Sequence, residues 1–159
     1  MIRESQIWTW LEDIPDPEIP VVSVVDLGIV RGVVLDDTTV EIEVAPTYSG
    51  CPATEVIEES IVRGLSEKGV DEVSVKRVLS PPWTTEWISG AGREKLRAYG
   101  IAPPEQSGGK RALMGKPDVA CPRCGSRQTT VVSAFGSTAC KAACKCDECL
   151  EPFEYFKCI

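Results

Sequence analysis

The chain of 159 residues is 43% apolar and 26% charged, with a net charge of −7 that arises entirely within residues 1–116. It contains no histidine, which excludes Ser-His-Asp and Cys-His catalysis together with imidazole-based zinc and iron sites. No apolar stretch is suited to span a membrane or to serve as a signal peptide, so we expect a cytoplasmic protein that does not bind a membrane. The C-terminal region has no net charge and lacks a basic face, so we do not expect nucleic acid as a partner.

The N-terminal third of the chain has the pattern of a helix followed by a β-hairpin. Apolar residues at helical spacing predict a helix over Glu4–Asp13, and the prolines that follow end it. Two β-branched runs, Ile29–Leu35 and Thr39–Ala45, flank Asp36-Asp37 and predict the two strands of a hairpin.

Two further helices and a third strand are predicted up to residue 101. Apolar positions between residues 53 and 65 recur at helical spacing and predict an amphipathic helix that ends at Gly69. Val73–Leu79 alternates as a strand, and Ala91–Tyr99 predicts another helix. Trp83 and Trp87 lie between these two elements and are interpreted as a lid on the core, with a partner surface as the alternative.

Seven of the eight cysteines lie in the C-terminal region, and four of them form two Cys-x-x-Cys pairs. The pairs are Cys121-Pro-Arg-Cys124 and Cys146-Asp-Glu-Cys149, and the two sulfurs of such a pair reach one ion. Four thiolates complete a closed tetrahedral site, which predicts a structural zinc ion and no catalysis at the metal. Iron is the alternative, since tetrahedral sulfur also suits it.

These patterns together predict an α+β chain with two domains. Residues 1–101 form a small three-stranded α/β domain with two to three helices, and residues 117–159 form a β-rich zinc ribbon with four cysteine ligands. Residues 102–116 are rich in Pro, Gly, Ser and Lys, which predicts a linker.

The remaining C-terminal cysteines, Cys140, Cys144 and Cys158, have two interpretations. They are small buried residues of a hairpin, or they are second-rank ligands that change the ligand set or bind a second metal. Cys140 and Cys144 would lie one turn apart in a helix, whereas Cys144 and Cys146 would share one face of a strand.

Cys51 is separate from the C-terminal cysteines and falls between a predicted strand and a predicted helix, with Pro52 at the first helical position. The unpaired backbone N–H groups and the dipole of a helix start favour the thiolate and lower the pKa of such a cysteine, which would make it nucleophilic and metal-binding. Alternatively, Cys51 is only a small residue at a helix start. Asp16, Glu18 and Asp26 are candidate supporting carboxylates, with turn or capping roles as the alternative.

Several motifs resemble those of known families. The chain is similar to the metal-sulfur cluster assembly domain at Asp16-Pro-Glu-Ile-Pro20, Asp26-Leu-Gly28 and Tyr48-Ser-Gly-Cys-Pro52. The likeness to the PaaD family covers nearly the whole chain and includes Pro81-Pro-Trp-Thr-Thr-Glu-Trp87, Gly100-Ile-Ala-Pro-Pro104, Phe135-Gly-Ser-Thr-Ala-Cys-Lys-Ala142 and Glu151-Pro-Phe153. Cys144 departs from the PaaD pattern, in which a bulkier residue is expected.

The PaaD resemblance implies a role beside the ring-1,2-phenylacetyl-CoA epoxidase, an oxygenase with a di-iron subunit and an iron-sulfur reductase. It implies an accessory maturation factor without catalytic activity of its own, in which Cys51 transiently holds iron or an iron-sulfur cluster. The implied partners are the epoxidase subunits, above all the reductase, and a second copy of the chain, because one cysteine cannot satisfy a cluster. The alternative is a structural or electron-transfer subunit of the epoxidase.

Overall fold

The computed structural model describes residues 1–47, 51–104, 119–138 and 140–156. The chain divides into two compact units, Met1–Gly92 and Arg93–Ile159. Within the described ranges, every helix is too short or too polar to cross a membrane.

The first unit is built from helices around one small sheet. Its elements are α1 (Glu4–Glu12), β1 (Val30–Asp36), β2 (Thr39–Val44), α2 (Ala53–Glu67), β3 (Glu72–Arg77) and a single 3-10 turn at Thr85–Trp87. A third helix, α3 (Gly90–Tyr99), begins at the end of this unit and continues into the second. The predicted helices and strands are therefore present, with ends that differ by one or two residues.

The sheet of the first unit has the order β1-β2-β3. β1 and β2 form the predicted antiparallel hairpin, whereas β2 and β3 pair in parallel from Thr39↔Glu72 to Val44↔Arg77. Parallel neighbours require a crossover, and α2 provides it. The carboxyl ends of β2 and β3 therefore lie at the same edge of the sheet, and α2 begins beyond that edge.

One face of this sheet packs against the helices. Along β2, Val40, Ile42 and Val44 are buried and alternate with partly exposed polar residues, as expected for a strand with one packed face. Each fully buried Ile or Leu contributes about 1.5–3 kcal/mol relative to an exposed one. The helical members of this core are Ile7, Leu11, Ile57, Ile61 and Leu65.

The segment after β3 closes over the loop that precedes β1. The indole N–H of Trp83, a side chain only 4% exposed, donates to the carbonyl oxygen of Leu27 at 2.8 Å. Gly28 has a φ of +69°, and a Cβ atom at this position would lie 2.5 Å from the carbonyl oxygen of Trp87. The guanidinium carbon of Arg31 lies 3.6 Å from the centre of the Trp87 ring. Trp83 therefore belongs to the core, as the lid interpretation predicts.

The second unit contains most of α3 and a four-stranded sheet. Its strands are β4 (Ile101–Ala102), β5 (Thr129–Ser133), β6 (Lys141–Cys146) and β7 (Pro152–Phe156), in the order β4-β7-β6-β5. β5, β6 and β7 are antiparallel, and β4 pairs with β7 in parallel. β5 is thus an edge strand of the described sheet.

The sheet of the second unit includes residues at the predicted domain limit. Ile101 and Ala102 pair with Glu154 and Tyr155, and the chain divides after Gly92, whereas the sequence predicts a first domain up to residue 101. Most of the predicted linker, 102–116, lies outside the described residues. The proposed limits of 1–101, 102–116 and 117–159 stay a prediction.

The charge of the protein differs strongly between its two units. Met1–Gly92 contains 17 acidic and 6 basic side chains, a formal charge of −11. Arg93–Ile159 contains 7 acidic and 11 basic side chains, a formal charge of +4. The division after Gly92 therefore separates an acidic unit from a basic one. If the chain is divided after residue 116 instead, the second part has no net charge and this difference in sign is lost.

Candidate metal centre

The two Cys-x-x-Cys pairs converge in the second unit. Cys121 and Cys124 precede β5, Cys146 ends β6, and Cys149 lies in the turn that leads to β7. The Sγ atoms of Cys121 and Cys149 are 3.7 Å apart and those of Cys124 and Cys146 are 3.6 Å apart, and all four lie within 4.8 Å of one another.

These distances fit four ligands of one tetrahedral ion. Zinc–sulfur bonds of about 2.3 Å give sulfur–sulfur edges of about 3.8 Å. A disulfide would instead bring two sulfurs to about 2.05 Å. Within the described residues, this is the one group of three or more Cys, Asp or Glu side chains arranged to hold a metal. All four positions of the tetrahedron are filled by protein, so the site is structural in form.

Each pair forms the same kind of turn. The residue after the second cysteine has a left-handed backbone in both pairs, with φ of +77° at Gly125 and +63° at Leu150. In the first turn the N–H of Gly125 donates to the carbonyl oxygen of Cys121 at 2.9 Å. In the second turn the N–H of Cys149 points at the Sγ atom of Cys146, 3.4 Å away. These turns direct both sulfurs of a pair toward the same point.

The metal-free site strongly perturbs its own thiols. The N–H of Cys149, followed by that of Glu148, stabilises the thiolate of Cys146 and lowers its pKa to about 7. For Cys149, the N–H of Glu151 also favours the thiolate and lowers the pKa, but burial and the neighbouring sulfurs outweigh this effect and raise the pKa to about 12. Four adjacent thiolates therefore require a cation, and a bound divalent metal supplies it.

An ion pair connects the two turns. Arg123 lies within the first pair and Glu151 follows the second, and Nη1 of the arginine lies 2.6 Å from Oε2 of the glutamate. As an exposed pair it contributes at most about 1 kcal/mol. Cys121 and Cys146 are buried, whereas Cys124 and Cys149 are exposed, so the cluster opens to solvent on one side.

The other C-terminal cysteines lie outside this group. Cys144 is buried in the apolar core of the second unit, on the same strand face as Cys146, and burial raises its pKa to about 11. Cys140 is also buried, with its Sγ atom 3.0 Å from Oγ1 of Thr138. Cys158 lies outside the described residues. A ligand role for any of the three stays a prediction.

Cys51 lies two residues before the first residue of α2 and is half-buried. Pro52 has a right-handed helical backbone in the capping position, and α2 begins at Ala53, one residue later than predicted. The carbonyl oxygen of Cys51 accepts a hydrogen bond from the N–H of Thr54 at 3.2 Å. The placement at a helix start agrees with the sequence pattern, and the chemical role of Cys51 stays a prediction.

The candidate supporting carboxylates shape the loop before β1. Oδ1 of Asp16, which is buried, accepts from the N–H groups of Glu18 and Ile19 at 2.9 Å each. Asp26 accepts from the N–H of Ser23 at 3.0 Å, and its own N–H donates to the Ser23 hydroxyl. Asp16 and Asp26 thus have turn roles, and the described structure does not gather these carboxylates with Cys51 into a metal-ligating group.

Two features of the second unit have no counterpart among the predicted site residues. Leu150 has the same left-handed position as Gly125, and only its place after a Cys-x-x-Cys pair could have indicated this. Lys141 is 4% exposed, and its ammonium lies 3.6 Å from the carboxylate of Glu154, which also accepts from the N–H of Ser137 at 2.8 Å. No sequence pattern indicates this pair of a buried lysine with a partly exposed glutamate, because a strand lysine is expected to face solvent.

Two protein families match separate parts of the chain. Residues 4–76 match the family described as iron-sulfur cluster assembly protein. Residues 105–157 match the PaaD zinc beta ribbon domain. The two matches lie in the order that the sequence motifs predict.

Similar proteins support both matches. A protein of Escherichia coli (strain K12), proposed as a subunit of 1,2-phenylacetyl-CoA epoxidase, is 50% identical over 154 residues, which are 97% of this chain and 92% of that protein. An Fe-S protein maturation auxiliary factor of Porphyromonas gingivalis (strain ATCC BAA-308 / W83) is 35% identical over 88 residues, 54% of this chain and 83% of that protein.

Two solved structures have a similar fold. A domain of unknown function, DUF59, from Bacillus anthracis is 32% identical with a TM-score of 0.55, and the match covers 58% of this chain and 90% of that one. A conserved hypothetical protein of Thermotoga maritima is 29% identical with a TM-score of 0.51, covering 60% and 94%. These likenesses, the two sheets and the cysteine group confirm the predicted α+β fold with a C-terminal zinc ribbon.

Proposed function

The chain belongs to the PaaD family, and on this premise we propose that it is an accessory maturation factor of the ring-1,2-phenylacetyl-CoA epoxidase. In this role it assists the assembly of iron-sulfur or other metal centres in the epoxidase or its reductase, in the cytoplasm, without catalysis of its own. The main support for this proposal is that Cys51 lies apart from the four cysteines of the C-terminal metal site. The four-sulfur site is coordinatively complete, and the region that matches the cluster assembly family has Cys51 outside that site.

Cys51 is the residue to which we assign the transient handling of iron or a cluster. It precedes α2, whose dipole favours negative charge at the helix start. One thiolate per chain holds a cluster incompletely, so further ligands come from a second copy of the chain or from the client. Incomplete ligation suits a carrier, because a cluster held by few protein ligands can be passed on.

The C-terminal unit has a structural and docking role in this proposal. Zinc is held by Cys121, Cys124, Cys146 and Cys149, and the bound ion supplies folding free energy to a sheet with a small apolar core. The folded unit then recognises the epoxidase subunits, above all the reductase.

Replacing Cys51 with serine tests the assignment. The variant should keep its fold and its zinc, while the reductase produced beside it should lose most of its iron-sulfur cluster. Iron content and visible absorption of the purified reductase measure the effect. Cys140→Ser is the matched control, because Cys140 lies beside a hydroxyl group and outside the four-sulfur group. A reductase that carries its full cluster beside the Cys51→Ser protein would refute the assignment.

A structural or electron-transfer subunit is the second candidate function, and the exposure of Cys124 and Cys149 favours it. Iron in the four-sulfur site would be open to electron transfer on that side. This function requires stoichiometric co-purification with the active epoxidase and a coloured, redox-active iron site. Colourless protein with about one zinc per chain, after purification without air, would exclude electron transfer at this site.

A further inference from the structure

The four cysteines of the metal site differ in their access to solvent in a regular way. The first cysteine of each Cys-x-x-Cys pair is buried, Cys121 at 2% exposure and Cys146 at 0%, and both pack into the apolar core of the second unit. The second cysteine of each pair, Cys124 and Cys149, is exposed. Each turn therefore fixes one ligand in the core and places the other at the surface.

The buried cysteines are poor first targets for an oxidant in solution. Hydrogen peroxide must touch the sulfur that it oxidises, and the oxidation of cysteines follows their exposure and their thiolate character. Core atoms surround Cys121 and Cys146, and the sulfur of Cys146 also accepts the N–H of Cys149 at 3.4 Å. Access from solvent is thus confined to Cys124 and Cys149 within this site.

The two exposed ligands also have the reactive charge state. A thiol that coordinates a metal ion is deprotonated, and the thiolate is the nucleophilic form of cysteine. Cys140 and Cys144, the other C-terminal cysteines that the structure describes, are buried and lie outside the four-sulfur group. Within the described part of the second unit, Cys124 and Cys149 therefore combine exposure with a thiolate.

The geometry of the site also provides a partner for the oxidised sulfur. An exposed thiolate attacks one oxygen of hydrogen peroxide, so an S–O bond forms, the O–O bond breaks and hydroxide leaves. A second ligand thiolate then attacks the sulfenic sulfur, the S–S bond forms and a second hydroxide leaves. Cys124 has the sulfur of Cys146 at 3.6 Å and Cys149 has that of Cys121 at 3.7 Å, so a small movement reaches the disulfide distance of about 2.05 Å.

We propose that the C-terminal unit is a peroxide-sensitive switch, in which hydrogen peroxide oxidises Cys124 or Cys149 first and the resulting disulfide releases the metal. Two thiolates lose one electron each, and peroxide takes up both. A site with two remaining thiolates holds zinc poorly, so the sheet loosens and docking is lost. The proposal rests on the structural zinc and the docking role that the proposed function gives to this unit.

The test uses the zinc-loaded full-length chain, purified without air and treated with a small excess of hydrogen peroxide. A chromophoric chelator measures zinc release, and dimedone followed by mass spectrometry of peptides identifies the sulfurs that form sulfenic acid. At early times the label on Cys124 and Cys149 should exceed that on Cys121 and Cys146 about tenfold. A dithiol reductant with added zinc should restore the original zinc content.

A variant with other ligands at the exposed positions tests the same point. Cys124→His/Cys149→His retains four zinc ligands, because imidazole also suits tetrahedral zinc, and it should release zinc about tenfold more slowly under peroxide. Cys51→Ser is the control, since it removes a sulfur outside the site, and it should release zinc at the unaltered rate. If the histidine variant binds no zinc, the labelling ratio of the unaltered chain decides alone.

Three results would overturn the proposal. They are zinc that stays bound under peroxide, dimedone label spread equally over the four ligands, and a Cys51→Ser variant that resists zinc release. A chain without zinc before treatment would contradict the structural zinc together with the switch. Failure of cluster handling is seen separately, in a client that is fully loaded beside the Cys51→Ser protein.

Discussion

Replacing Cys146 with serine is expected to remove the metal and to unfold the β5–β7 sheet. The Cys146 side chain is fully buried, and its Sγ atom lies 3.6 Å from that of Cys124 in the four-sulfur group. Structural zinc contributes about 10–16 kcal/mol to the folding of small units. That exceeds or equals the whole stability of many domains, about 5–15 kcal/mol, so three remaining sulfurs should not sustain the fold. Zinc content per chain and backbone amide spectra measure the result.

The control for this experiment is another buried cysteine of the same unit. Cys140→Ser should keep the metal content and the spectrum of the unaltered chain, because Cys140 lies outside the four-sulfur group and already has a hydroxyl neighbour. A Cys146→Ser protein that retains zinc and a folded sheet would show that another cysteine completes the site, contrary to the assignment of Cys146 as a ligand.

Replacing Gly28 with alanine is expected to destabilise the protein by about 3 kcal/mol, from two separate costs. A left-handed backbone at a residue with a Cβ atom costs roughly 1–2 kcal/mol, and Gly28 has a φ of +69°. The new Cβ atom would also lie 2.5 Å from the carbonyl oxygen of Trp87, so the tryptophan segment must move and overpacking adds roughly 1–3 kcal/mol. Urea unfolding followed by tryptophan fluorescence measures the change.

Gly69 separates the two costs. It has a φ of +93°, but a Cβ atom there would meet nothing within 4 Å. Gly69→Ala should therefore lose only the backbone contribution, roughly 1–2 kcal/mol. Equal losses at Gly28 and Gly69 would show that the contact with Trp87 is unimportant.

Local patterns predicted the elements of the fold, but not how distant elements meet. The β-branched runs around Asp36-Asp37 determine a hairpin because its strands are adjacent in the chain. The parallel pairing of β2 with β3 depends on α2 packing across the sheet, and no short-range pattern encodes it. The close approach of Gly28 to Trp87 likewise joins residues far apart in sequence. The two motifs that contain these residues could therefore be identified from the sequence, but their contact could not.

The metal centre was more accessible to prediction than the rest of the second unit. Cys-x-x-Cys spacing limits the geometry within a pair, so two pairs sufficed to predict the four-sulfur group. Cys144 allowed both a helical and an extended interpretation, and only the pairing of β6 with both neighbours decides for the strand. β4 has two residues, Ile101 and Ala102, which is too short for any periodicity to reveal.

The edge position of β5 has a consequence for the protein when its metal is lost. Thr129–Ser133 contains no charged residue, Val132 is 65% exposed, and a bulge between Val131 and Ser133 interrupts the pairing with β6, while among the described residues the other edge of β5 has no strand neighbour. Uncharged β-branched strands with free edges pair readily with other chains, and bulges protect against this. Once the sheet loosens, this strand becomes a template for aggregation. We therefore expect a bound metal also to keep the chain from self-association, so chelation should lead to precipitation instead of a dispersed unfolded chain.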